Sequence, residues 1–286
     1  MAKFKRGMGQ ALLKSLSENS LFRDKLCPDI EDGQVFFTTR HKNASFYIKG
    51  SSLFTYEING FSSHEKFAFI LNRKKAPYIT ESELGALRPA VDFYSVYNEI
   101  KNRAQLYAKG EATGISALYK YAPHNGNKHE RYFLVDIEDE MDAVSGDSGK
   151  KTDRADILLY DNENRELLFC EAKLFSNSEL RAAEGELPKV ITQLERYDKQ
   201  IAVNDQTILE QYTIAFSDYN ALMGTSLNPP EKIAKKCGLY IFGFTQDKLQ
   251  KFKEIHGTAK CFYGRLCRTI GNTHEDSAMK LFKALT

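Results

Sequence analysis

The most informative pattern of apolar and polar residues spans Arg154–Lys173 and predicts a β-hairpin. Two apolar runs, Ile157–Tyr160 and Leu167–Cys170, lie on either side of the polar stretch Asp161–Glu166, which contains two asparagines. Short apolar runs that flank a polar turn are typical of two buried strands joined by a hairpin. We therefore expect an antiparallel pair whose outer ends carry the charged residues of this segment.

Before this hairpin, the pattern predicts a helix followed by an aromatic antiparallel sheet. Residues 8–26 have apolar residues at helical spacing. Thr80 and Glu83 have the spacing of a helix capping box, and a further helix is predicted from Pro89 to about Tyr107. Between residues 34 and 72, aromatic segments separated by polar or Gly/Ser turns predict three or four strands. These segments are Gln34–Thr39, Ala44–Lys49, Leu53–Ile58 and Lys66–Leu71.

The remaining elements predict an α/β core, with a mixed central sheet flanked by helices. Arg131–Ile137 is the predicted first strand, and the hairpin supplies two more. Leu187–Val203 has apolar residues at helical spacing and a proline in its first turn, which predicts a helix. Later strands are predicted at Tyr212–Phe216 and Leu239–Phe244. We expect residues 1–85 to form an N-terminal helical and antiparallel β accessory region, and residues 86–286 to form the core domain with a basic C-terminal extension.

Three charged residues at the ends of the hairpin form a candidate site. Asp156 opens the first strand, and Glu171 and Lys173 close the second. Because side chains alternate along a strand, Glu171 and Lys173 share one face, and the hairpin can bring Asp156 beside Glu171. Two carboxylates suit Mg²⁺ or Mn²⁺, and an ammonium can stabilise charge on a phosphate. The alternative is a Glu–Lys pair on a solvated strand end.

These residues also carry a resemblance to a known family. Asp156, followed by Glu171-Ala172-Lys173 at the end of the next strand, resembles the PD-(D/E)XK nuclease superfamily, although Ala155 stands in place of the proline. Gln193 and Tyr197, four residues apart on one helix face, resemble the Q-x-x-x-Y motif of the RecB-like branch of that superfamily. The resemblance covers roughly residues 90–245.

The resemblance implies a restriction-endonuclease-like fold and a role for each residue of the motif. Asp156 and Glu171 would bind Mg²⁺ or Mn²⁺, with the backbone carbonyl of Ala172 as a further ligand. Lys173 would act on the reacting phosphate without binding the metal. The expected enzyme is a metal-dependent nuclease.

The resemblance also concerns the helix and an acidic residue upstream. Gln193 and Tyr197 would order the site and contact nucleic acid, whereas a plain amphipathic helix would place Tyr197 in its buried stripe. The superfamily often has an extra acid near the metal. Glu99 is the candidate, and a surface pair with Arg103 is the alternative. Three acidic residues after the first core strand either approach the metal or form a solvated loop: Glu138, Glu140 and Asp142.

Composition and charge restrict the compartment and the partners. No apolar run approaches the roughly 18 residues of a membrane span, and no apolar segment follows the basic start, so no secretory signal is predicted. Five cysteines without a paired framework fit a reducing compartment, which predicts a cytoplasmic protein. Residues 231–286 carry eleven Lys/Arg against five Asp/Glu, and such a basic tail can line a phosphate backbone.

The residues and the resemblance together predict a Mg²⁺-dependent nuclease that hydrolyses phosphodiester bonds of DNA. A restriction- or phage-defence-type endonuclease and a repair-type exonuclease both remain open, as do a homodimer and a partner protein. The alternative function is an inactive nucleic-acid or protein binding module on a nuclease-like fold. A third interpretation is a structural protein whose charges cluster by accident.

Overall fold

The chain forms an α/β protein with two β-sheets, which agrees with the predicted fold class at this level. A computed structural model describes residues 4–68, 77–108, 110–123, 131–140, 154–182 and 186–243, without the side chains of residues 138–140. None of the helices in these ranges is long and apolar enough to cross a membrane. The basic tail beyond residue 243 lies outside the described ranges.

The chain divides into two compact units. The first, here called the aromatic unit, comprises Lys5–His129 and Gln211–Leu227. The second, here called the hairpin unit, comprises Met1–Phe4, Glu130–Glu210 and Asn228–Thr286. The aromatic unit thus continues past residue 85. The division into an accessory region (residues 1–85) and a core domain (residues 86–286) stays a prediction.

An antiparallel sheet forms the centre of the aromatic unit, in the strand order β1-β2-β3-β4-β5. Aromatic rings on its strands are buried against one another; the ring centroids of Phe37 and Phe46 are 5.3 Å apart, and those of Phe54 and Phe61 are 5.7 Å apart. The aromatic residues therefore serve the core, as is usual for strands. The strands are β1 (Phe36–Arg40), β2 (Asn43–Ile48), β3 (Ser51–Glu57), β4 (Gly60–His64) and β5 (Tyr78–Thr80).

The fourth predicted strand, Lys66–Leu71, is wrong over the residues that the structure describes. Residues 65–68 form a turn, in which the N–H of Phe67 donates to the carbonyl of His64. The strand that pairs with β4 is β5, later in the chain. Residues 69–71 lie outside the described ranges.

Short helices accompany this sheet in the aromatic unit, and a side-chain cap begins the third of them. The predicted capping box is confirmed: Thr80 and Glu83 bond each other's backbone N–H at the start of the third helix. The predicted helix over residues 8–26 is interrupted at Asn19, because the Asn19 side chain accepts from the N–H of Leu21 and begins a new turn. The helices are α1 (Gln10–Glu18), α2 (Cys27–Glu31), α3 (Glu81–Leu87), α4 (Tyr97–Leu106) and α5 (Glu111–Ser116).

The helix predicted from Pro89 begins later, at Tyr97. Ala90 has a positive φ of 67°, which a continuing α-helix does not allow. The N–H of Ser95 then donates to the side chain of Asp92, which stabilises a turn in place of a helix. The later half of the prediction is confirmed by α4.

The second sheet, in the hairpin unit, is mixed. Its order is β10-β8-β7-β6, with β9 paired to β8; β6, β7 and β8 are antiparallel neighbours, and β10 is parallel to β8. The predicted first strand, the hairpin and the last predicted strand are confirmed. The strands are β6 (Tyr132–Glu140), β7 (Arg154–Asp161), β8 (Glu166–Leu174), β9 (Lys232–Ile233) and β10 (Gly238–Phe242).

A long helix, α6 (Lys189–Met223), joins β8 to the last strands and has 35 residues, roughly 50 Å. It includes the predicted helix but also Tyr212–Phe216, which was predicted as a strand; that prediction is wrong. Tyr212, Ala215, Phe216 and Tyr219 are buried, and this spacing of three and four residues is helical. A short apolar run alone does not distinguish the two structures.

Candidate active site

The β7–β8 hairpin sets the two predicted carboxylates on neighbouring strands. Ile157 pairs with Cys170 in the antiparallel ladder, and one residue further the same register sets Asp156 opposite Glu171. The backbone N–H of Ala172 donates a 2.9 Å hydrogen bond to Oδ2 of Asp156. The Asp156 carboxylate is therefore held against the β8 backbone.

Glu171 and Lys173 are buried and form a direct ion pair. Their exposed fractions are 2% and 7%. Nζ of Lys173 lies 2.6 Å from Oε1 of Glu171. Burying such charges is tolerable only when they are paired. The two residues share one face, as predicted, and the alternative of a solvated strand-end pair is wrong.

Lys173 has a second carboxylate partner, Glu179, which no sequence pattern predicted. Nζ lies 3.0 Å from Oε2 of Glu179, in the 3₁₀ turn Ser178–Leu180 that follows β8. Burial alone would lower the pKa of Lys173, but hydrogen bonds and charge from Glu171 and Glu179 outweigh burial and raise that pKa above its ordinary value. Lys173 is therefore a charged ammonium between two carboxylates. The available sequence signal was Asn177, which can cap a turn and thereby fix the residues after it.

Gln193 and Tyr197 form a chain of hydrogen bonds that ends on Glu171. Nε2 of Gln193 donates to the Tyr197 hydroxyl at 2.6 Å. That hydroxyl lies 2.9 Å from Oε2 of Glu171 and 2.8 Å from the carbonyl oxygen of Arg154, and it can donate its one proton to either. The four-residue spacing does bring both side chains to the same helix face.

Tyr197 is both a core residue and a polar contact. Its exposed fraction is 1%. Burial, followed by the negative charge of Glu171, raises the pKa of its hydroxyl. The hydroxyl therefore stays protonated at neutral pH and can donate to the carboxylate. Tyr197 lies in the buried stripe of α6, and its hydroxyl also contacts Gln193 and Glu171.

Side chains next to Tyr197 hold α6 against β10. Asp198 accepts a 2.8 Å hydrogen bond from the backbone N–H of Cys237, and another of 2.8 Å from Nζ of Lys236. An apolar cluster fixes the first turn of α6 to β10 and to the 3₁₀ turn. Its buried members are Leu180, Val190, Ile191, Leu239 and Ile241.

The role predicted for Glu99 stays a prediction. Glu99 is exposed on α4, in the aromatic unit. Its charge acts on Arg103, where it opposes the effect of burial on the arginine pKa. The charges of Glu99 and Arg103 therefore interact, and both interpretations of Glu99, metal ligand and surface pair, stay predictions.

Strand β6 has an acidic residue at the position opposite Asp156. Ile137 pairs with Ile157 in the antiparallel ladder. One residue further, the backbone of Glu138 lies opposite Asp156. The third acidic candidate, Asp142, lies outside the described ranges.

The donor set suits a hard divalent cation. When ionised, Asp156, Glu171, Lys173 and Glu179 carry three negative charges and one positive charge, and a divalent cation would balance the excess. A carboxylate has about four lone-pair positions, so accepting a hydrogen bond does not prevent coordination. Mg²⁺ and Mn²⁺ accept one or two carboxylates and retain water. The ligand chemistry of these residues is compatible with the predicted cation, and both the cation and the carbonyl of Ala172 stay predictions.

No protein-family model, curated protein or solved structure matches this chain.

Proposed function

We propose that this protein is a Mg²⁺-dependent nuclease that hydrolyses phosphodiester bonds of DNA. The observation that carries the proposal is the buried cluster of Asp156, Glu171 and Lys173, with Tyr197 bonded to Glu171. Burying charges is costly, and binding a divalent cation and a phosphate gives this cluster a use. The same residues carry the resemblance to the RecB-like branch of the PD-(D/E)XK superfamily.

The order of elements supports a restriction-endonuclease-like core. Strands β6, β7 and β8 follow one another as antiparallel neighbours, α6 crosses over, and β10 lies parallel to β8. A parallel neighbour requires a crossover of this kind, usually a helix. The resemblance implies the same succession: three strands with the Glu-x-Lys motif on the third, then a helix and a strand.

Each side chain has a separate task in the proposed reaction. Asp156 and Glu171 hold Mg²⁺ or Mn²⁺, which when bound supplies an activated water and stabilises charge on the phosphate. Lys173 donates to a phosphate oxygen or to the attacking water and opposes the negative charge that develops. Tyr197 keeps Oε2 of Glu171 in place, and Gln193 keeps the Tyr197 hydroxyl in place.

The competing proposal is an inactive module that binds nucleic acid or protein on the same fold. The burial of Glu171 and Lys173 argues against it. Replacing a buried ion pair with apolar residues is often neutral or stabilising, so stability alone does not require this pair. Catalysis, in contrast, would use both charges of the buried Glu171–Lys173 pair.

Cleavage assays on the purified protein test the proposal. Linear, circular and single-stranded DNA, each with Mg²⁺ or with a chelator, should show cleavage that depends on the cation. Cutting of the circle identifies an endonuclease, degradation from ends identifies an exonuclease, and a matched RNA tests the substrate class. DNA binding without cleavage would support the inactive module instead. Absence of both binding and cleavage would contradict the nuclease and the nucleic-acid-binding module, and would leave the protein-binding module.

Gln193→Ala and Tyr197→Phe should each reduce cleavage by about 10–100-fold, because each removes a contact that orients a proposed metal ligand. Single-turnover cleavage in saturating Mg²⁺ measures the effect, and thermal unfolding checks the fold. Gln206→Ala is a matched control, since Nε2 of Gln206 also donates to a residue four positions later, Glu210, but in an exposed pair. Full activity in both variants would remove the RecB-like placement and leave the nuclease core.

Glu138→Gln should weaken Mn²⁺ binding by about tenfold or more, because it removes a charge from the strand position opposite Asp156. Calorimetric titration of Mn²⁺ into the folded variants measures the affinity, with Glu186→Gln, a change at an exposed glutamate after the 3₁₀ turn, as the control. Glu99→Gln belongs in the same series. A loss in Glu99→Gln, with wild-type affinity in Glu138→Gln, would support the acid on α4 instead.

A further inference from the structure

We propose that Glu179 is a positioning residue, which holds the Lys173 ammonium in place when Glu171 binds the cation. The inference rests on the proposed function. It gives a task to a residue outside both sequence motifs, and it follows from the contacts of Lys173.

Glu171 has two competing partners in the proposed reaction. Its Oε1 lies 2.6 Å from Nζ of Lys173, and a cation bound by this carboxylate would be drawn to the same oxygen atoms. A divalent ion and an ammonium on one buried carboxylate repel each other strongly, because the surroundings screen charge poorly. Binding the cation therefore requires that the ammonium form an ion pair with another anion or leave the site.

Glu179 is the anion placed to take this role. Its Oε2 lies 3.0 Å from the same Nζ, so the ammonium already lies between two carboxylates. A shift of the ammonium toward Glu179 would relieve the repulsion without removing Lys173 from the site. Lys173 would then remain beside the reacting phosphate.

The turn that carries Glu179 is held at three points. Oδ1 of Asn177 accepts a 2.9 Å hydrogen bond from the N–H of Glu179. Arg181 donates 2.8 Å hydrogen bonds to the carbonyls of Asn177 and Phe175. Leu180, whose exposed fraction is 1%, packs in the apolar cluster beneath α6 and β10. The backbone is thus fixed on both sides of Glu179. The Glu179 side chain is 41% exposed, so its charge keeps contact with water.

Glu179→Gln keeps the shape of the side chain and removes its charge. Lys173 would then compete with the cation for Glu171 alone, so the affinity for Mn²⁺ should fall by about tenfold. In saturating metal, kcat should also fall while KM for DNA stays near its wild-type value, because Lys173 is misplaced and DNA contacts are not removed.

The test compares wild type with Glu179→Gln, Glu179→Asp and Glu186→Gln by calorimetric Mn²⁺ titration, kcat and KM for DNA, and thermal unfolding. Glu186 is an exposed glutamate beyond the turn and serves as the matched control. We expect a loss of affinity in Glu179→Gln and partial recovery in Glu179→Asp. We also expect a kcat loss without a KM change, and wild-type behaviour in Glu186→Gln. Wild-type affinity and kcat in Glu179→Gln would overturn the inference.

A double-mutant cycle separates positioning from simple charge attraction. In a Lys173→Met background, Glu179→Gln should change Mn²⁺ affinity little, because there is no ammonium left to position. An undiminished loss in that background would overturn the inference and show a direct attraction between Glu179 and the cation. If Lys173→Met does not fold, the Glu179→Asp recovery and the kcat-against-KM comparison decide. No Mn²⁺ binding by wild type would instead contradict the proposed function itself.

Discussion

Asp156→Asn should abolish Mg²⁺-dependent cleavage of DNA, with a loss of about 10³-fold or more, while the fold survives. The substitution removes a charged ligand, and a bound metal contributes several kcal/mol of transition-state stabilisation, each 1.36 kcal/mol being worth about tenfold in rate. Asparagine keeps an oxygen that can accept the hydrogen bond from the N–H of Ala172. The variant therefore isolates the charge from the backbone contact.

Single-turnover cleavage in a Mg²⁺ series, together with thermal unfolding, measures the effect of Asp156→Asn. Asp205→Asn provides the matched control, because Asp205 is exposed on α6 and should tolerate the same chemical change. Cleavage at the wild-type rate by the folded Asp156→Asn variant would exclude this carboxylate as a metal ligand. A parallel loss in Asp205→Asn would point to a general effect of the Asp-to-Asn change on the protein and not to the loss of a metal ligand.

Lys173→Met should retain cation binding and lose turnover by about 10²–10³-fold. A preorganised electrostatic donor near the developing charge is typically worth this amount. Methionine approximates the length of lysine, but the change leaves the buried carboxylate of Glu171 without its ammonium. The melting temperature should therefore fall, since breaking a buried ion pair is destabilising. Mn²⁺ affinity should persist, because Lys173 is not a proposed ligand.

The Lys173 experiment pairs calorimetric Mn²⁺ titration with cleavage under conditions where chemistry limits the rate, below the melting temperature of the variant. Lys189→Met, at the exposed start of α6, removes one positive charge as a control for DNA attraction. A loss smaller than a few-fold in folded Lys173→Met would return Lys173 to a structural role. Loss of cation binding would mean that its charge organises the carboxylates.

Local rules explain why much of the hairpin unit could be predicted. The alternation of two apolar runs around a polar turn predicted β7 and β8, and the two-residue period set Glu171 and Lys173 on one face. The spacing of Gln193 and Tyr197 likewise sufficed, because side chains four apart on a helix are neighbours. In each case the contact depends on residues close together in the chain or on one hairpin.

Longer-range packing explains the predictions that were wrong and the residue that was missed. The Tyr212–Phe216 run is too short to reveal its period, and burial at helical spacing within α6 decided its structure. Glu179 reaches Lys173 because Leu180 is anchored in a cluster built from α6 and β10. A residue in a turn carries no sequence period that would indicate this anchor.

The register of β6 was equally beyond the sequence. The pairing shifts by one residue between Leu134 and Asp136. A shift of one residue exchanges the two faces of a strand. Continuing the earlier register would set Ile137 opposite Asp156, whereas the shifted register sets Glu138 there. Sequence spacing alone does not reveal such an irregularity, because it is settled by the pairing of two strands.

The sequence by itself determined the α/β character, the hairpin and which charged side chains share a face, because strand alternation and helical spacing are properties of the local backbone. Only the tertiary structure decided that Glu171 and Lys173 are buried, that the Tyr197 hydroxyl bonds Glu171, and that Glu179 is the second partner of Lys173. The Tyr197–Glu171 contact joins two separate elements, and the Glu179–Lys173 contact, although short in sequence, depends on the anchor of Leu180. Their geometry depends on how α6 and β10 pack on β8, which no local pattern specifies.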